Sequence, residues 1–434
     1  MMRKAKGVDA DIGHGGKRIG RRGMAEHGSN SQSWKDVVPP FSVQPPSVIR
    51  NPQSAIRNIS VAGLCCLWLA LSLSAAIAAP LPASDAALKP ADISLSPWDW
   101  DLNLHGAFGY KDNVLLNRRF ADGSGFFQGG LDASLLRLPL DGTQLSLLVS
   151  AEDTRYWQSP KLDDEQFILS MLQWKQYGPG EWVWSCSLDH HYQNQVMDVS
   201  ATETNLNTAR FQGNGLRLYP GVRRDFEQRR WAELELGASR QWLHAPLDGF
   251  WQFRPKFTVG QGYGNRSELS LIYEPFWRWY DHREPLTREG FRIPGETLVF
   301  TEHEFQVQWQ HYWDPPRHWR TTTRLGFALN LDNGGGYFDF RRYQFTEALR
   351  YKSAAWEVRA QVRLAAYEFT HQTFSRTDER LRDKATWQLQ LRIEKTWTKH
   401  LKTFAQYEHE SSLSNLLLDE YNVNTLLAGI DWGW

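Results

Sequence analysis

The chain has 434 residues, 49 of them basic and 49 acidic, a formal net charge of +0 and a mean hydropathy of -0.54. Such averages exclude a bundle of apolar membrane helices and a polybasic nucleic-acid binder, and on their own they suit a large water-soluble chain. Trp does not fit that average: 21 Trp and 13% aromatics exceed what a soluble core needs, whereas membrane–water interfaces favour Trp and Tyr for their amphipathic rings.

Residues 1–56 are rich in Gly, Ser, Pro and basic side chains and show no apolar periodicity, so they read as a disordered leader or as the product of a start assigned too early, with Met24 or a later site as the true beginning. Residues 57–79 read as a signal peptide. Arg50 and Arg57 precede the apolar run Val61–Ala79, and the small residues Ala76, Ile77 and Ala78 place cleavage after Ala78 or Ala79. The run is short for a membrane anchor, and Cys65 and Cys66 lie inside it without the preceding pattern of a lipoprotein signal. Ten of the 49 basic and four of the 49 acidic residues fall in 1–79, so the remainder carries −6 and offers no nucleic-acid surface. Cys186 is its only cysteine, which rules out an internal disulfide there.

After a Pro- and Ala-containing linker over 80–97, the sequence changes period. Trp98, Trp100, Leu102, Leu104, Gly106, Phe108 and Tyr110 alternate with Asp99, Asp101, Asn103, His105, Ala107 and Gly109, and period two means strand. The alternation is longer than a half-buried soluble strand needs and suits a tilted strand crossing a bilayer. It recurs to the chain end, most cleanly where Trp356, Val358, Ala360, Val362 and Leu364 alternate with Glu357, Arg359, Gln361 and Arg363.

Alternation alone does not separate a soluble sandwich from a membrane barrel, but the connections do. Short turns at 139–143, 178–180, 262–265, 314–316, 352–354 and 399–400 take turns with more polar loops near 111–125, 157–164, 193–206, 281–297, 371–383 and 411–420, with shorter ones at 244–249 and 332–336. Such asymmetry belongs to transmembrane barrels. Aromatic girdles are expected near the short turns, at Trp98, Trp174, Trp182, Tyr219, Trp231, Trp313, Trp319, Tyr351, Trp356, Trp397, Trp432 and Trp434, and near the loops, at Tyr110, Trp157, Tyr192, Trp242, Trp251, Trp279, Tyr367 and Tyr421. The pairs Trp182/Tyr192, Trp231/Trp242 and Trp356/Tyr367 would span roughly 25 Å on tilted strands.

The fold class is therefore all-β: a transmembrane antiparallel up-and-down β-barrel over 98–434. Sixteen strands are counted, with starts near 98, 126, 143, 165, 181, 206, 230, 250, 266, 299, 319, 337, 355, 384, 401 and 421; fourteen is the alternative. The last strand alternates Leu426, Ala428, Ile430, Trp432 and Trp434 with small or polar residues. It resembles the closing strand of Gram-negative outer-membrane proteins. The resemblance implies that location, outer-membrane lipid as surroundings, and Trp432 and Trp434 as a signal to the barrel-assembly machinery.

Catalytic, metal and cofactor motifs are poor, and the chain reads as no enzyme. Asp122-Gly-Ser-Gly125 lacks the second half of a nucleophile elbow. His190-His191 and Glu302-His303-Glu304 place neighbours on opposite strand faces, which argues against a metal. Gly334-Gly-Gly336 lacks the Lys-Ser/Thr of a phosphate loop. A lipid hydrolase would need Ser and His together on an outer face, and no such pair is evident.

The lumen is richer. Inward positions include Glu233, Glu235, Glu268, Glu274 and Glu304, and Arg320, Arg324, Arg342, Arg350, Arg359, Arg363, Arg392 and Glu394. Long charged side chains suit an aqueous channel of about sixteen strands better than a small packed barrel. The Arg residues cluster between 319 and 394, expected opposite the earlier acidic arc, and such segregation would set a transverse field. These residues predict a channel for small polar or charged solutes, the bland alternative being a closed lumen of satisfied ion pairs. Gly109-Tyr-Lys-Asp-Asn-Val-Leu-Leu116 is similar to the first-strand segment of porin-like barrels that export exopolysaccharide or assemble surface proteins, which implies an exported polymer or protein as the other partner class, although no helical-repeat domain precedes the barrel. Lipid hydrolysis is the third and weakest reading.

Overall fold

The computed structural model describes residues 96–434 except 119–120, 140, 160–161, 163, 204–207, 246, 265, 376–377 and 417–418. The leader, the signal segment and most of the linker lie outside the described residues. Sixteen strands follow in chain order: β1 Trp98–Lys111, β2 Ser124–Arg137, β3 Thr143–Tyr156, β4 Asp164–Tyr177, β5 Trp182–Asp198, β6 Thr208–Phe226, β7 Arg230–Leu243, β8 Phe250–Tyr263, β9 Ser267–Tyr280, β10 Val299–Tyr312, β11 Trp319–Asp332, β12 Phe340–Lys352, β13 Trp356–Ser375, β14 Asp378–Thr396, β15 Leu401–Ser414 and β16 Tyr421–Gly433.

Each strand pairs antiparallel with its chain neighbours, and β1 also pairs with β16 from Asn103↔Gly433 to Lys111↔Thr425. The sheet is a closed up-and-down barrel. Closure matters because hydrocarbon offers no partner to an unpaired backbone edge. The even count brings both ends of the barrel to the side of the short turns.

Burial follows the two-residue period. Phe108, Phe257, Leu271, Phe305, Leu325, Leu391, Leu426 and Ile430 are exposed on the outer wall, while their neighbours along each strand point inward. A continuous apolar exterior on a sixteen-stranded closed sheet is the architecture of an outer-membrane barrel, in which that band meets lipid. The two girdles are present as Trp98, Trp182, Trp319, Trp356 and Trp432 on the short-turn side and Tyr110, Trp242, Trp251 and Trp279 on the loop side, all exposed.

Four of the expected girdle residues are not there. Trp231 and Tyr421 are buried, and Tyr219 and Tyr367 also turn inward: Tyr219 follows the exposed Leu218, and Tyr367 packs on Phe340. The reason is parity. Trp231/Trp242 and Trp356/Tyr367 are eleven residues apart, an odd spacing that puts the partners on opposite faces, whereas Trp182/Tyr192 shares one face.

Strand starts lie within three residues of those expected, except for β14, which begins at Asp378 and not near 384. Instead of a loop over 371–383, β13 and β14 continue upward as a hairpin, with a register shift between Glu368 and Thr373. A hairpin standing above the membrane is polar on both faces, so its composition reads as loop. One short turn also went unsignalled. Residues 227–229 contain neither Gly nor Pro, yet Gln228 and Arg229 adopt left-handed φ of 60° and 62°.

Candidate functional site: the lumen and its outer mouth

Register aligns the inward arginines. Arg320 pairs with Arg350, Arg350 with Arg359, and Arg359 with Arg392, so four guanidinium-bearing residues stand side by side on β11 to β14. Like charges directly opposite destabilise a sheet unless countercharges intervene. Glu357 supplies one: its Oε1 accepts from Arg350 Nε at 2.8 Å and from Arg359 Nε at 2.6 Å. Glu394 accepts from Arg392 Nε at 2.6 Å, and Asp431 lies 3.2 Å from the same guanidinium.

Higher in the lumen the arginines bond to side-chain amides, with Glu410 beyond one of them, bonded to Gln388 at 2.9 Å. Arg324 Nε donates to Gln308 at 2.6 Å, Arg363 Nη1 donates to Gln388 at 3.3 Å, and Arg363 Nε is buried with no partner. Among the described residues neither of these, nor Arg320, is in an ion pair. One wall of the lumen thus presents guanidinium groups that no direct ion pair among the described residues occupies.

The acidic residues differ from expectation in place and in pairing. Glu268, Glu274 and Glu304 lie on β9 and β10, adjoining the arginine wall, whereas Glu233 and Glu235 on β7 are seven strands from β14, almost straight across from it. Several are already matched: Glu235 by Lys256 at 2.9 Å, Glu274 by Arg254, and Glu304 by Arg342 at 3.3 Å, with Glu302 also 3.1 Å from Arg342. Glu233 and Glu268 stand outside these pairs. Further acidic residues lie on the other side of the wall, on β2 and β3, where Asp132 and Glu152 flank His105 of β1 at 3.9 and 3.7 Å.

The outer mouth is crossed by a strap, Asp198–Glu203, that leaves the top of β5. Lys384 of β14, fully buried, donates to Asp198 and, at 2.8 Å, to Ser200 Oγ. Arg382 of β14 donates to the Ser200 carbonyl at 2.6 Å and to Gln372 at 2.7 Å, and is held by Asp419 at 2.9 Å. β5 and β14 are seven strands apart in a ring of sixteen, so these contacts reach almost straight across the barrel. On another side Arg283, from the β9–β10 connection, donates to Glu203 at 2.5 Å and to the Thr202 carbonyl.

Apolar contacts seat the strap. Ala201 packs with Phe340 and Phe369, and Arg382 stacks on Phe369 at 4.5 Å. Beside it Leu286, Leu298 and Phe338 from two outer connections join Phe276 and Phe300 in a small core, with Arg283 over Phe338 at 4.9 Å. Burial pushes the Glu203 carboxyl up to about 7; Arg283 pulls it down and Asp248 up.

Other residues singled out by sequence are structural in place. Gly334 and Gly336 donate their N–H groups to Asp332 Oδ1 at 2.8 and 3.0 Å, forming a turn, and Gly336 has φ +79°. Asp112 accepts from Asn424 N at 2.7 Å, and Asn113 donates to the Asn422 carbonyl at 2.9 Å, so the Gly109–Leu116 segment clasps the β1–β16 seam. Asp248, Asp281 and His282 come together, but Asp281 is doubly bonded to Arg240 at 2.7 and 2.6 Å.

One Ser/His pair does lie on an outer face. His409 and Ser411 of β15 occupy outward positions of the strand, with His409 Nδ1 2.8 Å from Asn424 Oδ1; Ser411 is covered by its neighbours and buried, and among the described residues no hydrogen bond joins it to His409. The contact a serine nucleophile needs from its base is missing.

No family model matches the chain, and no curated protein matches it. Similar solved structures include OccAB1 of Acinetobacter baumannii, at 8% identity over 79% of this chain and 98% of that one, TM-score 0.44. A BenF-like porin from Pseudomonas fluorescens Pf-5 is 8% identical over 78% and 100%, TM-score 0.43. A bacterial polysaccharide outer membrane secretin is 11% identical over 77% and 97%, TM-score 0.39.

Sequence reading missed Arg254 and Lys256 although their signal was available, since Trp251, Phe253, Phe257 and Val259 mark the lipid face of β8 and leave the even positions to the lumen. Arg382 lies in the stretch 371–383 that reads as loop, and Lys384 at the expected start of the next strand. Trp432 and Trp434 lie exposed on the last strand beside the barrel's short-turn rim, with Trp434 N donating to the Leu102 carbonyl at 3.0 Å.

Proposed function

We propose that the chain is an outer-membrane channel through which small polar solutes pass, with anionic groups guided along the β11–β14 wall. The observation that carries this reading is the set Arg320, Arg324 and Arg363, inward-facing and outside any ion pair among the described residues. A packed structural lumen would neutralise such charges, because an unpaired guanidinium in a low-dielectric interior is costly, whereas water and passing anions satisfy it. The acidic Asp132 and Glu152 on β2 and β3, with Glu233 and Glu235 on β7, stand away from that wall on either side of the ring and add a transverse field that orients dipolar solutes. Passage requires the Asp198–Glu203 strap to move. Planar-bilayer recording from purified, folded protein tests the reading: stepwise conductance is expected, and its absence with the strap released by mutation overturns it.

A further inference from the structure

Lys384 stands at the barrel mouth with its side chain fully buried, and the acceptors its Nζ reaches, Asp198 and Ser200 Oγ, both belong to the strap. Arg382, two residues along the same inward face, spends one nitrogen on the strap carbonyl of Ser200 while Asp419 and Gln372 fix its plane. The strap thus presents to this basic pair a carboxylate, a hydroxyl and a carbonyl. Those are the groups of a small hydroxylated anion.

Resting on the channel reading, we propose that Lys384 and Arg382 are the outermost docking station for the carboxylate or phosphate of an entering solute, and that Asp198 and Ser200 occupy it in cis. An anion arriving from outside exchanges with Asp198. Without it, opening would strip the Lys384 ammonium of both its strap acceptors and leave Asp198 only the N–H and hydroxyl of Ser200, so the mouth stays shut. With it, the exchange is nearly balanced, and the strap swings out. Below the station the inward residues of β14 continue as Thr386, Gln388 and Arg392, and Gln388 is the partner of Arg363. The solute released from Lys384 therefore meets the arginine wall next.

The test uses Ala201, which is buried when the strap is seated. Ala201→Cys, with the native cysteines replaced by Ser, is folded in detergent and labelled with a membrane-impermeant maleimide in KCl alone, with succinate, and with inorganic phosphate at matched ionic strength. Slow labelling in KCl and labelling at least about tenfold faster with one or both anions is the expected result. Response to succinate alone assigns a carboxylate station, and response to phosphate alone a phosphate station. Lys384→Met should label fast with no anion added and gain nothing from one; Asp198→Asn serves if that variant does not fold.

Labelling in the wild-type strap that is indifferent to both anions overturns the proposal, as does slow labelling when Lys384 is gone. Bilayer currents are read from the same preparation. Anion-dependent labelling without currents overturns the channel reading and leaves the station standing, whereas currents without anion-dependent labelling overturn the station alone.

Discussion

Arg359 and Arg392 stand directly opposite each other across the β13–β14 ladder, each bonded to a glutamate two residues away on its own strand, Glu357 at 2.6 Å and Glu394 at 2.6 Å. The arrangement shows how a row of like charges survives in one sheet. Each guanidinium is countered along its strand and so does not need a partner across the lumen, which stays open to other anions.

Removing one of those counters should therefore be felt as stability. Glu357→Gln leaves Arg350 and Arg359 facing each other without their shared carboxylate, at a cost on the order of 1.5–3 kcal/mol. Heat-induced unfolding followed by gel mobility is expected at lower temperature. The double variant with Arg359→Gln should recover part of the loss, because it removes one of the two charges left behind.

The seam between the first and last strands depends on close backbone approach. A Cβ on Gly429 would lie 2.3 Å from the Gly106 carbonyl oxygen and 2.7 Å from the Ala107 Cβ. Backbone cannot step aside as a flexible side chain can. Gly429→Ala should impair β1–β16 closure, seen as loss of the folded, heat-modifiable band after refolding; an unaffected yield would mean the seam is looser than described.

Closure of the mouth should depend on pH through Glu203. Its carboxyl sits at about 7 in the seated strap, facing Arg283 and Asp248, with His282 bonded to Asp248, against an ordinary value near about 4.3 once released to water. A raised value in the closed arrangement means that closure binds the proton. Its contribution to closure is complete below about 4.3 and is lost as pH rises through about 7. Ala201→Cys labelling, taken relative to a freely exposed cysteine so that the thiolate fraction cancels, is expected to speed up between pH 5 and 8 on the order of tenfold or more, and Glu203→Gln should flatten that ratio.

Much of this barrel was legible in sequence because period two, turn chemistry and aromatic placement all act locally. The alternation from Trp98 to Tyr110 assigned a strand and a lipid face at once, and the same pattern placed Arg359, Arg363 and Arg392 in the lumen. What was not legible involves long-range geometry. Lys384 meets Asp198 across 186 residues of chain, a pairing that only a ring of known size and register can reveal. The acidic arc is only partly where it was expected for a related reason: order around a ring decides what is opposite, so Glu235 on β7 stands across from β14 while Glu274 and Glu304 adjoin the arginines. Trp231 was misplaced by a simpler error, an odd spacing counted as one face.

Neutralising the unpaired arginines should leave the fold intact, since Arg324 and Arg363 make only hydrogen bonds to Gln308 and Gln388. Arg324→Gln and Arg363→Gln are each expected to reduce the affinity of a small dicarboxylate that blocks the current, by roughly threefold to tenfold per charge removed. Arg392→Gln should have a smaller effect, because Glu394 and Asp431 already counter that charge.

The most direct test of the central claim is the zero-current potential across a planar bilayer in a KCl gradient, measured for the wild type and for Arg320→Gln/Arg324→Gln/Arg363→Gln. A shift of the triple variant toward potassium preference is the predicted result. An unchanged potential, or a shift toward chloride, would contradict an arginine wall that guides anions.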